Sequence, residues 1–97
     1  MTLPIFVRLE AAPVILVGEG EAAEAKRRVI ERAGGVVVGE GDDARLAIVV
    51  EDETAVARLK ARGVLVNAVD RPELCDFTLP AIVDRAPVLI AIGTGGV

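Results

Sequence analysis

The sequence predicts an α/β fold with a mostly parallel sheet, and three observations carry that expectation. Apolar residues make up 53% of the 97-residue chain, mostly as Val, Ala, Leu and Ile, with two Phe and no Trp or Tyr, a composition suited to strands buried on both faces. Short apolar runs alternate with two segments of helical periodicity. Glycines stand where a run passes into a helix and where each helix stops. A chain of this length forms one domain, expected to span residues 1–97.

The charge balance and the missing residue types exclude several functions. Lys plus Arg number 11 against 15 Asp plus Glu, a net charge of −4, so a polyanion meets net repulsion and no nucleic-acid partner is expected. With no histidine and one cysteine, imidazole bases, Ser–His or Cys–His pairs, His-ligated zinc and internal disulfides are excluded, and no metal site is read. Chemistry falls to carboxylates, hydroxyls, amines, backbone or a borrowed cofactor. No apolar run approaches the ~20 residues that span a bilayer, and Arg8 and Glu10 interrupt the N-terminal apolar stretch where a signal sequence needs an unbroken core. A soluble, cytoplasmic protein without a membrane partner is the expectation.

Taken in order, LPIFVRL (3–9) reads as a short strand of mixed pattern. The next segment, 11–35, runs apolar strand, glycine turn, helix, glycine stop. In the helix Ala22, Ala25, Val29, Ile30 and Ala33 recur at helical spacing, while Glu24, Lys26, Arg27, Arg28, Glu31 and Arg32 fall mostly opposite. Gly34 and Gly35 sit where a helix end takes left-handed residues. VVV (36–38) is a second strand and LAIVV (46–50) a third. The polar connection between them has about seven residues, short for a parallel crossover; either it crosses almost fully extended, or the two strands are related in an unusual order. A helix of about ten residues follows, with Asp52 or Thr54 as N-cap and Gly63 beyond its end. VLVNAV (64–69) is a fourth strand, and LPAIVD and PVLIAIGT around RAP predict a closing β-hairpin.

Gly18, Glu19, Gly20 and Ala23 match G-x-G-x-x-A directly after an apolar strand and at the opening of a helix, the setting of a dinucleotide fingerprint. There the first glycine makes the turn, the second admits the pyrophosphate, and the small third residue lets helix and strand pack closely. Helix N-terminal amides then hold the phosphate. The same glycines equally suit any tight strand-to-helix turn, and Glu19 and Glu21 place negative charge beside it. Glu40, beyond the second strand, is the available acid for ribose hydroxyls.

LPIFVRL, VILVGEGEAAEAK (14–26) and above all VLVNAVDRPELCDFTLPAIVDRAPVLIAIGTGG (64–96) resemble the N-terminal dehydrogenase domain of siroheme synthase, also found as stand-alone precorrin-2 dehydrogenase/sirohydrochlorin ferrochelatase. The resemblance implies a reduced, three-layer Rossmann-like fold that binds NAD. The implied reaction is oxidation of a tetrapyrrole, precorrin-2, to sirohydrochlorin, followed in some members by ferrous iron insertion. On this alignment Gly18 and Gly20 fall on the phosphate-binding glycines, with Glu19, Glu21, Ala22 and Ala23 completing the cofactor turn. Asp70 falls on the general acid/base, Asn67 precedes it in the same motif, and Thr94, Gly95 and Gly96 match a signature near the substrate cleft. A carboxylate suits the task, because dehydrogenation pairs hydride transfer with proton loss.

The chain also departs from that family. About one βα segment is missing between the first helix and LAIVV, Glu19 replaces a glycine, and Glu51, Asp52 and Glu53 stand where Thr-Asp-Asp is usual. The sequence stops one residue after Thr-Gly-Gly, short of the helical region through which family members dimerise. Two functions are therefore expected to compete: an NAD-dependent dehydrogenase with Asp70 as acid/base, and a non-catalytic relative that binds a nucleotide or tetrapyrrole or serves as a subunit of a split enzyme. Either way a homo-oligomer, or a complex with a subunit supplying the missing helices, is expected to cover apolar surface. Cys75 reads as a small buried residue. The acids at 42–43 and 51–53 and the basic residues at 26–28 read as solvated ends and faces.

Overall fold

The structure is a computed structural model that describes the backbone of residues 2–85 and 88–92 and the side chains of residues 2–80. Strands β1 (Pro13–Val17), β2 (Val36–Val38), β3 (Leu46–Val49) and β4 (Leu65–Ala68) form a parallel sheet in the order β2-β1-β3-β4. Helix α1 (Glu21–Arg32) follows β1 and helix α2 (Glu53–Ala61) follows β3. Alternate residues of each strand point to opposite faces. Ile15, Ala47, Val49, Val66 and Ala68 therefore pack with Ala55, Val56 and Leu59 of α2, while Val14 and Ile48 pack with Ile30 of α1. Each large side chain so buried contributes about 1.5–3 kcal/mol. The expected α/β class with a parallel sheet holds, and the central strands lack polar alternation because both faces are covered.

Both helices end by one device. Gly34, at φ 86, follows α1, and the amides of Gly34 and Gly35 donate to the carbonyls of Glu31 and Ile30. Gly63, at φ 81, follows α2, and the amides of Gly63 and Val64 donate to Lys60 and Leu59. This pattern satisfies carbonyls that the helix leaves without partners. At the start of α2 the choice between Asp52 and Thr54 falls on Asp52, whose carboxylate accepts from the Ala55 amide at 3.0 Å and from the Thr54 hydroxyl at 2.8 Å. Further on, a 3₁₀ turn spans Pro72–Leu74, and strands β5 (Ala81–Arg85) and β6 (Val88–Ile92) pair antiparallel as a separate sheet. Residues 86 and 87 between them lie outside the described residues.

Residues 3–9, expected as a strand, form none. A strand needs a hydrogen-bonding neighbour, and none of the described strands supplies one. Leu3, Ile5, Phe6 and Val7 are left 54–81% exposed, and Leu9 alone reaches the α1-side core.

The short connection between β2 and β3 is neither stretched nor misplaced. Val38 lies opposite Ile15 and Leu46 opposite Val14, so the chain returns by only one residue along the strand while passing β1. A three-residue β2 makes a helix unnecessary. The return is held against α2: both oxygens of Glu40 accept from Arg58, at 2.6 and 3.0 Å, and Arg62 donates to the carbonyls of Glu40 and Asp42. Ala44 packs into the core on that side. The hydrogen bond from Arg58 holds the Glu40 carboxyl below its ordinary 4.5, and hydrogen bonds from Thr54 and Ala55 do the same for Asp52 below 3.8. A depressed carboxyl contributes stability that is full above its unfolded value and lost as pH falls through its folded one. Thermal midpoints should therefore drop on acidification below 4.5, and Glu40→Gln should remove part of that drop while lowering the neutral-pH midpoint. A pH series of melts on both proteins checks this.

Candidate active site

Parallel α/β sheets offer their ligand cleft at the carboxyl ends of the strands. Three turns meet there. At the end of β1, Gly18 has φ 120, and a Cβ at this position would stand 2.7 Å from Val50 Cβ and 2.8 Å from the Val50 carbonyl oxygen. The first glycine thus serves close packing of the turn on β3. Gly20 is different: its φ of 93 and ψ of −169 lie where essentially only glycine goes, yet nothing stands within 4 Å of the place a Cβ would take. It is the N-cap of α1, and no side chain caps the helix. Open space beside uncapped amides is the arrangement a pyrophosphate requires, and on this count the residues fit one. Glu19, Glu21 and Ala22 are exposed around the turn, while Ala23 is buried against the sheet.

The other two turns follow β3 and β4. Glu51 and Asp70 both take left-handed backbone, at φ 56 and 63, uncommon for residues other than glycine, more so for Glu than for Asp. Both line a cavity of about 370 Å³ with Ala22, Val50, Asp52, Val56 and Leu74 among its other walls. The first turn of α1, through Ala22, and the expected acid/base Asp70 therefore share one cleft. Of the cleft acids, Asp52 caps α2 and Glu53 pairs with Arg71, which also reaches Glu73 at 3.3 Å. Glu51 and Asp70 make no side-chain hydrogen bond or ion pair among the described residues. In the sequence Glu51 reads with its neighbours as a solvated end, although it follows LAIVV as Asp70 follows VLVNAV.

Two expected site residues stand elsewhere. Glu40 is engaged by Arg58 of α2, so its carboxylate is not free for a ribose. Asn67 is 7% exposed, and its amide nitrogen donates to the Phe77 carbonyl at 3.0 Å and approaches Cys75 Sγ at 3.7 Å. It faces the returning chain and does not line the cleft. Thr94, Gly95 and Gly96 lie outside the described residues.

A family model described as "Putative NAD(P)-binding" matches residues 40–81. The siroheme synthase of Methylobacillus flagellatus is 37% identical over 128 aligned positions, covering 98% of this chain and 27% of the relative. That of Methylococcus capsulatus is 36% identical, covering 97% and 27%. This chain is a homologue of the siroheme synthases. It spans about a quarter of their length, 27% for both of these relatives. The resemblance read from residues 3–9, 14–26 and 64–96 is thereby borne out. A solved structure titled "SirC, precorrin-2 dehydrogenase" superposes with a TM-score of 0.73 at 17% identity, covering 98% of this chain and 63% of that one, which shows a shared fold. An alignment of 128 positions with a siroheme synthase exceeds the 97 residues available by 31, so at least that many positions of the relative have no counterpart here. Among the described residues no helix is long and apolar enough to cross a membrane.

Because Gly18 sits on Val50, Gly18→Ala should destabilise the chain by about 1–3 kcal/mol through overpacking and unfavourable φ. Urea unfolding at neutral pH measures the change.

Proposed function

We propose that this chain is the dinucleotide-binding dehydrogenase part of a siroheme-forming system, acting on precorrin-2 with NAD. The single observation that carries the reading is that Ala22, in the first turn of α1 just after the glycine turn, and Asp70 beyond β4 line one cleft. The homology to siroheme synthases and the NAD(P)-binding family match supply the chemical class. Gly20 and the first-turn amides of α1 would hold the pyrophosphate. When bound, NAD supplies the hydride acceptor. Asp70, unpaired among the described residues, takes the proton that leaves the substrate carbon skeleton as the hydride departs, so two electrons and two hydrogens are accounted for. Iron insertion, where it occurs, would draw on the same carboxylate as base. A ribose role for Glu40 requires its release from Arg58.

A second reading is favoured by a different observation. Leu3, Ile5, Phe6, Val7, Val36 and Leu65 are 49–81% exposed, too much apolar surface for a self-sufficient small domain. On this reading the chain is one subunit of a homo-oligomer or split enzyme, and a second copy or a larger subunit covers that surface and completes the substrate cleft.

Calorimetric titration with NAD⁺ tests the first reading. Saturable binding is expected, abolished in Gly20→Asp, whose carboxylate would occupy the phosphate approach. Asp70→Asn should bind NAD⁺ as well as the wild type but oxidise precorrin-2 at least about 100-fold more slowly. No heat of binding at millimolar NAD⁺ would remove the cofactor from the isolated chain and leave the split-enzyme reading standing.

A further inference from the structure

Among the described residues the outer edge of β4 has no neighbouring strand, yet the amides and carbonyls of Val66 and Ala68 on that edge find partners. Residues 75–77 fold back along it and supply side chains where a strand would supply backbone. The amide of Val66 donates to Asp76 Oδ2 at 2.9 Å, and the Asp76 amide donates to the Val66 carbonyl at 2.7 Å. One residue pair further along, the Ala68 amide donates to Cys75 Sγ at 3.3 Å, and the thiol in turn lies 3.3 Å from the Ala68 carbonyl and 3.5 Å from the Arg71 carbonyl. Asn67, between them, ties its side chain to the Phe77 carbonyl. Lys60 of α2 reaches the other Asp76 oxygen at 3.6 Å.

This strap brackets one turn. The Arg71 amide closes back on the Ala68 carbonyl at 3.1 Å, and between those two residues stands Asp70 with φ 63. The Cys75 sulfur touches the backbone at both ends of the turn, Ala68 and Arg71, so it helps fix the separation of the two residues that bound Val69 and the left-handed Asp70. A thiol can donate to one carbonyl while accepting from an amide, which a methyl group cannot.

We propose that Cys75, with Asn67 and Asp76, is a positioning residue for Asp70: the strap on the β4 edge holds the turn that aims the carboxylate into the cleft. The proposal rests on the acid/base role of Asp70 put forward above. It also gives Asn67 a task other than contact with substrate.

The test compares wild type, Cys75→Ala and Cys75→Ser as full-length chains. NMR chemical shifts of Asp70 Cα and Cβ report its left-handed backbone and need no activity. In Cys75→Ala these shifts should move toward extended values and kcat for precorrin-2 oxidation should fall about tenfold or more with KM little changed, since small misplacements of a reacting group lower rate more than binding. Cys75→Ser, whose hydroxyl donates and accepts, should restore both. Should Cys75→Ala fail to fold, Asn67→Ala is read in the same way, with loss of its bond to Phe77. Asp70 shifts in a folded Cys75→Ala or Asn67→Ala that coincide with wild type would overturn the proposal. Full activity in Asp70→Asn, with shifts that do move, would instead sink the acid/base reading and leave the strap as the determinant of the turn.

Discussion

The arrangement of this small sheet depends on the return from β2 to β3. Two parallel strands flank a third, and their link must travel about 3.3 Å back and two strand spacings, about 10 Å, across. Eight links can span roughly 27 Å, so the connection of residues 39–45 has slack and no need of a helix. What it lacks is the apolar face by which a crossover helix packs on a sheet. Arg58 and Arg62 take over that task, through a two-point hydrogen bond to the Glu40 carboxylate and two bonds to backbone carbonyls, the charge-assisted kind that holds geometry best. These groups are exposed, so water and salt weaken their attraction, and Ala44, partly buried against the core, supplies the part of the anchoring that salt does not touch.

That economy has a consequence at the cofactor end. The residue that could meet a ribose is the one that anchors the return. Around the glycine turn, Glu19 and Glu21 oppose a pyrophosphate, and Glu51 and Asp70 add charge across the cleft. The α1 N-terminus favours an anion by about 0.3–1 kcal/mol, whereas each exposed carboxylate near 4 Å costs about 1 kcal/mol in water. These terms are of similar size, so directed amide hydrogen bonds at Gly20, rather than the field of the helix, have to carry any phosphate affinity. Salt, by screening beyond roughly 8 Å at physiological strength, works in favour of binding here.

The parts of the structure legible in the sequence were those set by local chemistry. Gly34 and Gly63 end helices because they accept left-handed backbone, Asp52 caps because its side chain reaches an amide three residues on, and runs such as LAIVV mark strands covered on both faces. What could not be read locally depends on neighbours distant in the chain. LPIFVRL has strand composition, but a strand exists only beside another, and no described strand accepts it. Glu40 looked available because Arg58 is 18 residues away, and Gly18 looked like a phosphate residue although Val50 is what stands against it. For the site, the placing of the α1 N-terminus and Asp70 on one cleft follows from both lying at carboxyl ends of parallel strands, a topological rule that sequence order carries. The roles of Asn67 and Cys75 do not follow, because both arise from the fold-back of residues 75–77.

An edge strand with open amides invites pairing with other chains, and proteins blunt such edges with charge, bulges or covering loops. On β4 the covering is done by Asp76 and Cys75 side chains, and the chain must reverse tightly after Ala68 to bring them there. A reversal of that kind needs left-handed backbone at one position, and Asp tolerates it better than most residues. Protection of the edge and display of a carboxylate at the strand end are thus one geometric requirement. On the proposed reading the loop DRPELCDF is a structural cap and a turn of the candidate site for the same reason, since the fold-back that covers the sheet edge is also what leaves Asp70 on the wall of the cleft.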